Sequence, residues 1–109
     1  MATLYQLYST MDTLSHATEE IARTWRAGDS VILLGSTIAF IDWFKAHLEE
    51  NEVQDIAGIY ALAEDVAQLT PDTSAKLNLD DKLNGLLTDL DWVNLTQDSQ
   101  FEKVVTIAL

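Results

Sequence analysis

The tetrapeptide Val31-Ile32-Leu33-Leu34 is apolar at every position and lies between two segments whose apolar residues recur at helical spacing. A strand with one solvated face alternates apolar and polar residues, because successive side chains point to opposite sides of a sheet. An unbroken apolar run therefore specifies a strand covered on both faces, the position of a central strand in a parallel sheet. Upstream, Leu14, Ala17, Ile21, Ala22 and Trp25 define a helix face. Asp12 or Thr13 supplies a short side-chain oxygen suited to its N-cap, and Ala27-Gly28-Asp29 closes it. Downstream, Gly35-Ser36-Thr37 reads as the cap of a second helix carrying Ile38, Ile41, Phe44, Ala46 and Leu48. Its end, Glu49-Glu50-Asn51-Glu52, is acidic where a helix dipole favours cations.

The same alternation extends outward. Thr3 to Tyr8 alternates in polarity and reads as a first strand. Ile56 to Leu62 reads as a third, followed by a short helix over Glu64 to Leu69 that Pro71 stops. Thr70 to Asn78 is rich in Pro, Asp, Thr, Ser and Lys, the composition of an exposed loop. Beyond it two readings compete. Leu79, Leu83, Leu86, Leu87 and Leu90 have helical spacing, whereas the β-α alternation calls for a strand at Leu86 to Asp89 opened by Gly85, and the strand is favoured. Lys103 to Leu109 is the last strand. Such alternation, with right-handed crossovers, predicts one domain over residues 1–109: a flavodoxin-like three-layer α/β/α sandwich with a mostly parallel sheet of about five strands.

Charge and cysteine content narrow the chemistry. The formal charge is -12, and the six basic residues, Arg23, Arg26, Lys45, Lys76, Lys82 and Lys103, form no stripe. Phosphate backbones are gripped by clustered cations, so direct nucleic-acid binding is not expected. The chain has no cysteine, which excludes disulfides, thiolate metal sites and a thiol nucleophile of its own. No apolar run approaches the length of a membrane span, and no basic and apolar leader opens the sequence, so the expected location is cytoplasmic, away from membranes.

Candidate sites fall at strand ends, where doubly wound sheets bind ligands. Ser9-Thr10-Met11-Asp12-Thr13 offers hydroxyls but no glycine to wrap an anion. Gly35-Ser36-Thr37 combines glycine, hydroxyls and a helix start, so Ser36 and Thr37 are candidate binding residues. Asp65 closes the third strand at the same edge, with a functional role or a cap on the following helix as its two readings. His16 and His47 lack partners at metal-ligand spacing, so no metal site or cofactor is expected. No serine sits in a nucleophile elbow, and adjacent carboxylates such as Glu64-Asp65 diverge around a helix, so no catalytic residue is assigned. The aromatic load exceeds what so small a core can cover, and Trp92, Trp43 and Phe44, with His47, are candidate subunit-interface residues.

Ile59-Tyr60-Ala61-Leu62-Ala63-Glu64-Asp65-Val66 and Asp91-Trp92-Val93-Asn94-Leu95-Thr96, in that order after Gly28-Asp29-Ser30-Val31-Ile32-Leu33-Leu34, resemble the TusB/DsrH family of small sulfur-relay subunits. The resemblance implies a DsrE/F/H-like domain, with Leu86 to Asp89 as fourth strand and a helix over Trp92 to Gln97. It implies a hetero-oligomer, hexameric, with homologous subunits whose cysteine carries persulfide. Cysteine-free members of the TusB type belong to the branch serving 2-thiolation of tRNA wobble uridine, which implies a non-catalytic role here; the sulfur-oxidation branch is the other outlet. The alternatives are a small-molecule module binding nucleotide or flavin at the strand ends, and an acidic homo-oligomeric adaptor.

Overall fold

The computed structural model describes residues 2–10, 12–70, 72–73 and 82–108. Strand β1 (Ala2–Tyr8) leads to helix α1 (Leu14–Thr24), then β2 (Ser30–Leu33). A 3-10 segment, Gly35–Phe40, runs directly into α2 (Ile41–Glu50). Then follow β3 (Gly58–Leu62), α3 (Ala63–Ala67), β4 (Gly85–Leu87), α4 (Asp89–Thr96) and β5 (Phe101–Ala108). All four strand pairings are parallel, in the order β4-β3-β2-β1-β5. The five-stranded, three-layer architecture agrees with the expectation, but the strand order is not the 2-1-3-4-5 of flavodoxin itself. Here β1 to β4 step in one direction, and β5 returns to the far side of β1.

The register divides the sheet into two faces. Tyr5, Val31, Ile59 and Val105 share one side with Leu7, Leu33, Ala61 and Ile107, and these pack with Leu14, Ala17 and Ile21 of α1 and Ile41, Phe44 and Leu48 of α2 in one core. Leu4, Gln6, Ile32 and Tyr60 occupy the opposite side, which α4 crosses. There the Trp92 indole N–H donates to Gln6 Oε1 at 2.7 Å, and Gln6 Nε2 donates to Thr106 Oγ1 at 3.0 Å. Every residue of β2 is buried, Ser30 included, while Leu34, the last residue of the apolar run, falls just past the strand and is half-buried.

A buried carboxylate fixes the amino edge. Asp29, 1% exposed, accepts the Thr3 amide at 2.8 Å and the Arg26 amide at 2.9 Å, tying the start of β1 to the turn before β2. Beside it, Trp25 stacks on Tyr5 with ring centroids 5.7 Å apart and donates its indole N–H to the Gln54 carbonyl at 2.8 Å. Burial holds the Tyr5 hydroxyl above its ordinary ionisation range despite its bond to Thr24 Oγ1 at 2.7 Å, so at neutral pH it is an uncharged hydrogen-bonding group.

Element boundaries moved where hydrogen bonds outweighed pattern. Thr13 takes the N-cap position of α1, but its hydroxyl bonds Ser9 Oγ at 2.8 Å in the preceding loop and makes no cap bond. Trp25 lies just past that helix. Ile56 precedes β3, because Asp55 turns through a φ of +58° and the Ala57 amide bonds the Asp29 carbonyl at 3.0 Å. Helix α3 ends at Ala67, before Leu69. Helix α4 starts three residues before Trp92, since Thr88 and Asp91 form a reciprocal capping box. The competing readings of residues 79–90 resolve to a strand at Gly85–Leu87; Leu79 lies outside the described residues, as do Pro71 and the end of the predicted loop.

The acidic end of α2 has a geometric solution. Glu52 adopts a φ of +58°, its amide bonds the Glu49 carbonyl at 3.1 Å, and the Val53 amide bonds the Leu48 carbonyl at 2.9 Å. This is a Schellman cap, with Leu48 and Val53 both buried as its apolar contact and glutamate where glycine is usual. Left-handed backbone costs a residue with a Cβ about 1–2 kcal/mol, partly offset by glycine's larger entropy loss on folding. Glu52→Gly is therefore expected to raise stability by up to about 1 kcal/mol, read as a higher denaturation midpoint with an unchanged slope.

Candidate functional site

The loops leaving β1, β2 and β3 are stitched together at the carboxyl edge of the sheet. Thr37, fully buried, accepts the Ser9 amide at 2.9 Å and donates its hydroxyl to the Ser9 carbonyl at 3.1 Å. It thereby clamps the loop after β1 to the 3-10 segment after β2. Ser9 is fully buried as well, and its hydroxyl reaches the Thr10 carbonyl at 3.0 Å. Gly35 opens the 3-10 segment with a φ of +58°, under the ring of Tyr8. A Cβ at this position would have to push the half-exposed Tyr8 ring aside, and the left-handed backbone angle itself favours glycine.

Asp65 reaches across from α3 to this loop. Its Oδ2 accepts the Gly35 amide at 2.8 Å, while α3 has no side-chain cap at its own N-terminus. The carboxylate thus caps a neighbouring segment and not the helix that carries it. Ser36, Thr37 and Asp65, separated by up to 29 positions in the chain, do meet at one edge. Their arrangement suits hydroxyl or cationic ligands better than anions, because the glycine amide an anion would use is already held by a carboxylate. Ser36 is exposed, whereas both polar functions of Thr37's hydroxyl are engaged within the chain.

The topology places a switch point next to this cluster. β3 and β4 are neighbours, yet α3 turns onto the face bearing the main core, where Val66 packs, and α4 turns onto the face bearing Gln6. Chains that diverge in this way open the sheet at a switch point, the place where α/β sheets take ligands. Tract Ile59–Val66 forms most of β3 and of α3, and tract Asp91–Thr96 lies within α4, so the two lie on either side of this switch point. On the β4 side, Thr88 and Asp91 cap the following helix through bonds of 3.1 and 3.2 Å. That pair was missed in the sequence because a capping box ordinarily carries Glu or Gln at the third helical position.

The proposed interface residues separate. Phe44 is fully buried in the core and is removed from any surface, a correction that follows from its contact face on α2. Trp43, one position on, is 56% exposed. His47 is half-buried with its Nδ1 3.5 Å from Glu50, and Trp92 is half-buried against the sheet through its bond to Gln6. Leu90 and Val93, which the sequence reading passed over, are 69% and 48% exposed on α4. They sit three residues apart, so they share one outer stripe of that helix.

Among the described residues, no group of three or more His, Cys, Asp or Glu is placed to hold a metal ion, and no helix is long and apolar enough to cross a membrane. Comparison of the chain with protein-family models, with curated proteins and with solved structures finds no match.

The edge cluster predicts two unequal mutational costs. Thr37→Val keeps the volume but strands the buried Ser9 amide, and is expected to cost about 1–3 kcal/mol. Asp65→Ala releases the Gly35 amide at a site that water can reach, and is expected to cost about 1 kcal/mol or less, with faster amide exchange at Gly35. Chemical denaturation and hydrogen exchange check both.

Proposed function

We propose that this protein is a non-catalytic structural subunit of a cytoplasmic sulfur-relay complex that serves 2-thiolation of wobble uridine in tRNA. The observation that carries this reading is the arrangement of the two tracts that resemble the TusB/DsrH family: they lie on either side of the switch point between β3 and β4. Sulfur passes in such relays as a persulfide, formed and discharged by thiolate attack on sulfur. A chain with no thiol cannot take that step through a cysteine of its own, so the sulfur-bearing cysteine belongs to a homologous partner subunit. What this chain contributes is a surface and an electrostatic field.

Both contributions have residues behind them. Leu90 and Val93 on α4, and Trp43 on α2, are exposed apolar groups of the kind that anchor subunit contacts. A charge of -12 favours partners with basic rims and speeds their encounter. The Gly35 loop, pinned by Asp65 and Thr37, is held in one arrangement at the carboxyl edge, which lowers the ordering cost of docking there.

Affinity capture of the tagged chain from native lysate, followed by mass spectrometry and native sizing, tests this reading. The expected result is recovery of homologous subunits at matched stoichiometry, at least one with a cysteine that traps persulfide, and loss of the complex on Leu90→Asp with Val93→Asp. Recovery of this chain without such subunits contradicts it.

A further inference from the structure

We propose that the outer edge of β5 is a self-association site, at which β5 of a second copy pairs antiparallel across a two-fold axis to form one continuous ten-stranded sheet. The sheet ends on one side at β4, three residues long, and on the other at β5, eight residues long. An edge strand presents a row of free amides and carbonyls, and proteins block such rows with charges, proline or bulges. On β5 these devices are confined to the amino end. The β1–β5 register slips between Ala2 and Thr3, leaving Glu102 as an extra residue, and the only charges are Glu102 and Lys103. The next five residues, Val104-Val105-Thr106-Ile107-Ala108, carry no charge and no proline, and their register to β1 is unbroken.

Cover is thin on both sides of this stretch. Toward α1, a groove of about 450 Å³ is lined by Tyr5, Glu20, Thr24, Val105 and Ile107. On the opposite face Val104 is 36% exposed, and Thr106 and Ala108 are exposed. A parallel sheet ordinarily has helices over both faces of every strand, and β5 is the longer of the two edge strands among the described residues and is left partly uncovered.

Charge and register select a second copy as the occupant. Two chains of charge -12 repel at most approaches, but β5 carries one glutamate and one lysine and is locally neutral. A neutral edge gives a basic peptide no preference over a like copy. In a two-fold antiparallel pair each residue opposes one of the same face. Centring on Lys103 would set lysine against lysine, which is unfavourable. Centring on Val104 or Val105 sets every charged residue against an uncharged one: Lys103 against Val105 or Ile107, and Glu102 against Thr106 or Ala108. The assignment does not depend on the relay reading, because it concerns the purified chain alone.

The absence of native cysteine makes the test clean. Residues directly opposed across a two-fold strand pair have Cβ atoms about 4.5–5.5 Å apart, near disulfide reach. Single variants Val104→Cys and Val105→Cys are oxidised beside Ser15→Cys, an exposed position on α1, and the unmodified chain is followed by sedimentation equilibrium at low and high salt. The expected result is a reversible dimer that tightens as salt screens the net charge, and cross-linking of Val104→Cys or Val105→Cys about ten-fold faster than Ser15→Cys. Val104→Lys or Val105→Lys, whichever matches the faster cross-link, sets lysine against its own copy and, with its fold verified by circular dichroism, is expected to weaken the dimer about ten-fold. A monomer at every concentration and salt, equal cross-linking at all three positions, or a dimer that this lysine variant leaves intact would each overturn the proposal.

Discussion

Burial of β2 on both faces is the constraint on which the rest of this structure depends. A four-residue strand without a polar side to offer water needs a neighbour strand at each edge and a helix above and below. Parallel connections place those helices, and right-handed crossovers put α1, α2 and α3 together on one face while the chain steps from β1 to β4. Only the long return from β4 to β5 crosses the other face, so α4 alone, among the described residues, covers it. The uneven cover that results explains several local features at once. Trp92 and Gln6 make a polar bridge on the face that α4 crosses, Tyr8 is half exposed over Gly35, and β5 is left with neither a full roof nor a full floor.

The acidity of the chain is put to structural use as well as lying on its surface. Asp29 and Asp65 each spend their charge on backbone amides in other segments, one at each end of the sheet. A carboxylate bonded to amides is a stronger tie than a neutral acceptor, and it needs no cation beside it. This explains how a sheet with few cations nearby holds its loops in place. It also alters the chemistry of the carboxyl edge, since a strand-end loop that would cradle phosphate in other α/β proteins is here occupied by the protein's own acid.

Periodicity made most of the fold legible in the sequence. The unbroken run at β2, the alternation at β1 and the helical spacing of α1 and α2 each reported a burial pattern, and each element formed near its expected place. Ends were less legible, because they depend on bonds between distant segments. Ile56 was lost from β3 to a turn at Asp55, and the C-terminus of α2 was set by a left-handed Glu52 that composition does not announce. The edge site was partly legible: Ser36, Thr37 and Asp65 were picked out by their position at strand ends, but the bond from Gly35 to Asp65 depends on strand order, which sequence alone left open. Phe44 and Trp43 show the same limit from another direction. Adjacent aromatics on a helix point about 100° apart, so one fills the core and the other faces water, and which is which follows from how α2 lies on the sheet.

The relay reading joins a thiol-free chain, a pinned strand-end loop and exposed apolar residues on α4 into one account, in which the protein scaffolds sulfur transfer performed by a partner's cysteine. Its most direct test is mass-spectrometric quantification of 2-thiouridine at the tRNA wobble position in cells with and without this protein. The account predicts that 2-thiouridine falls sharply on deletion and returns when the intact chain is supplied. An unchanged level in the deletion strain would contradict it.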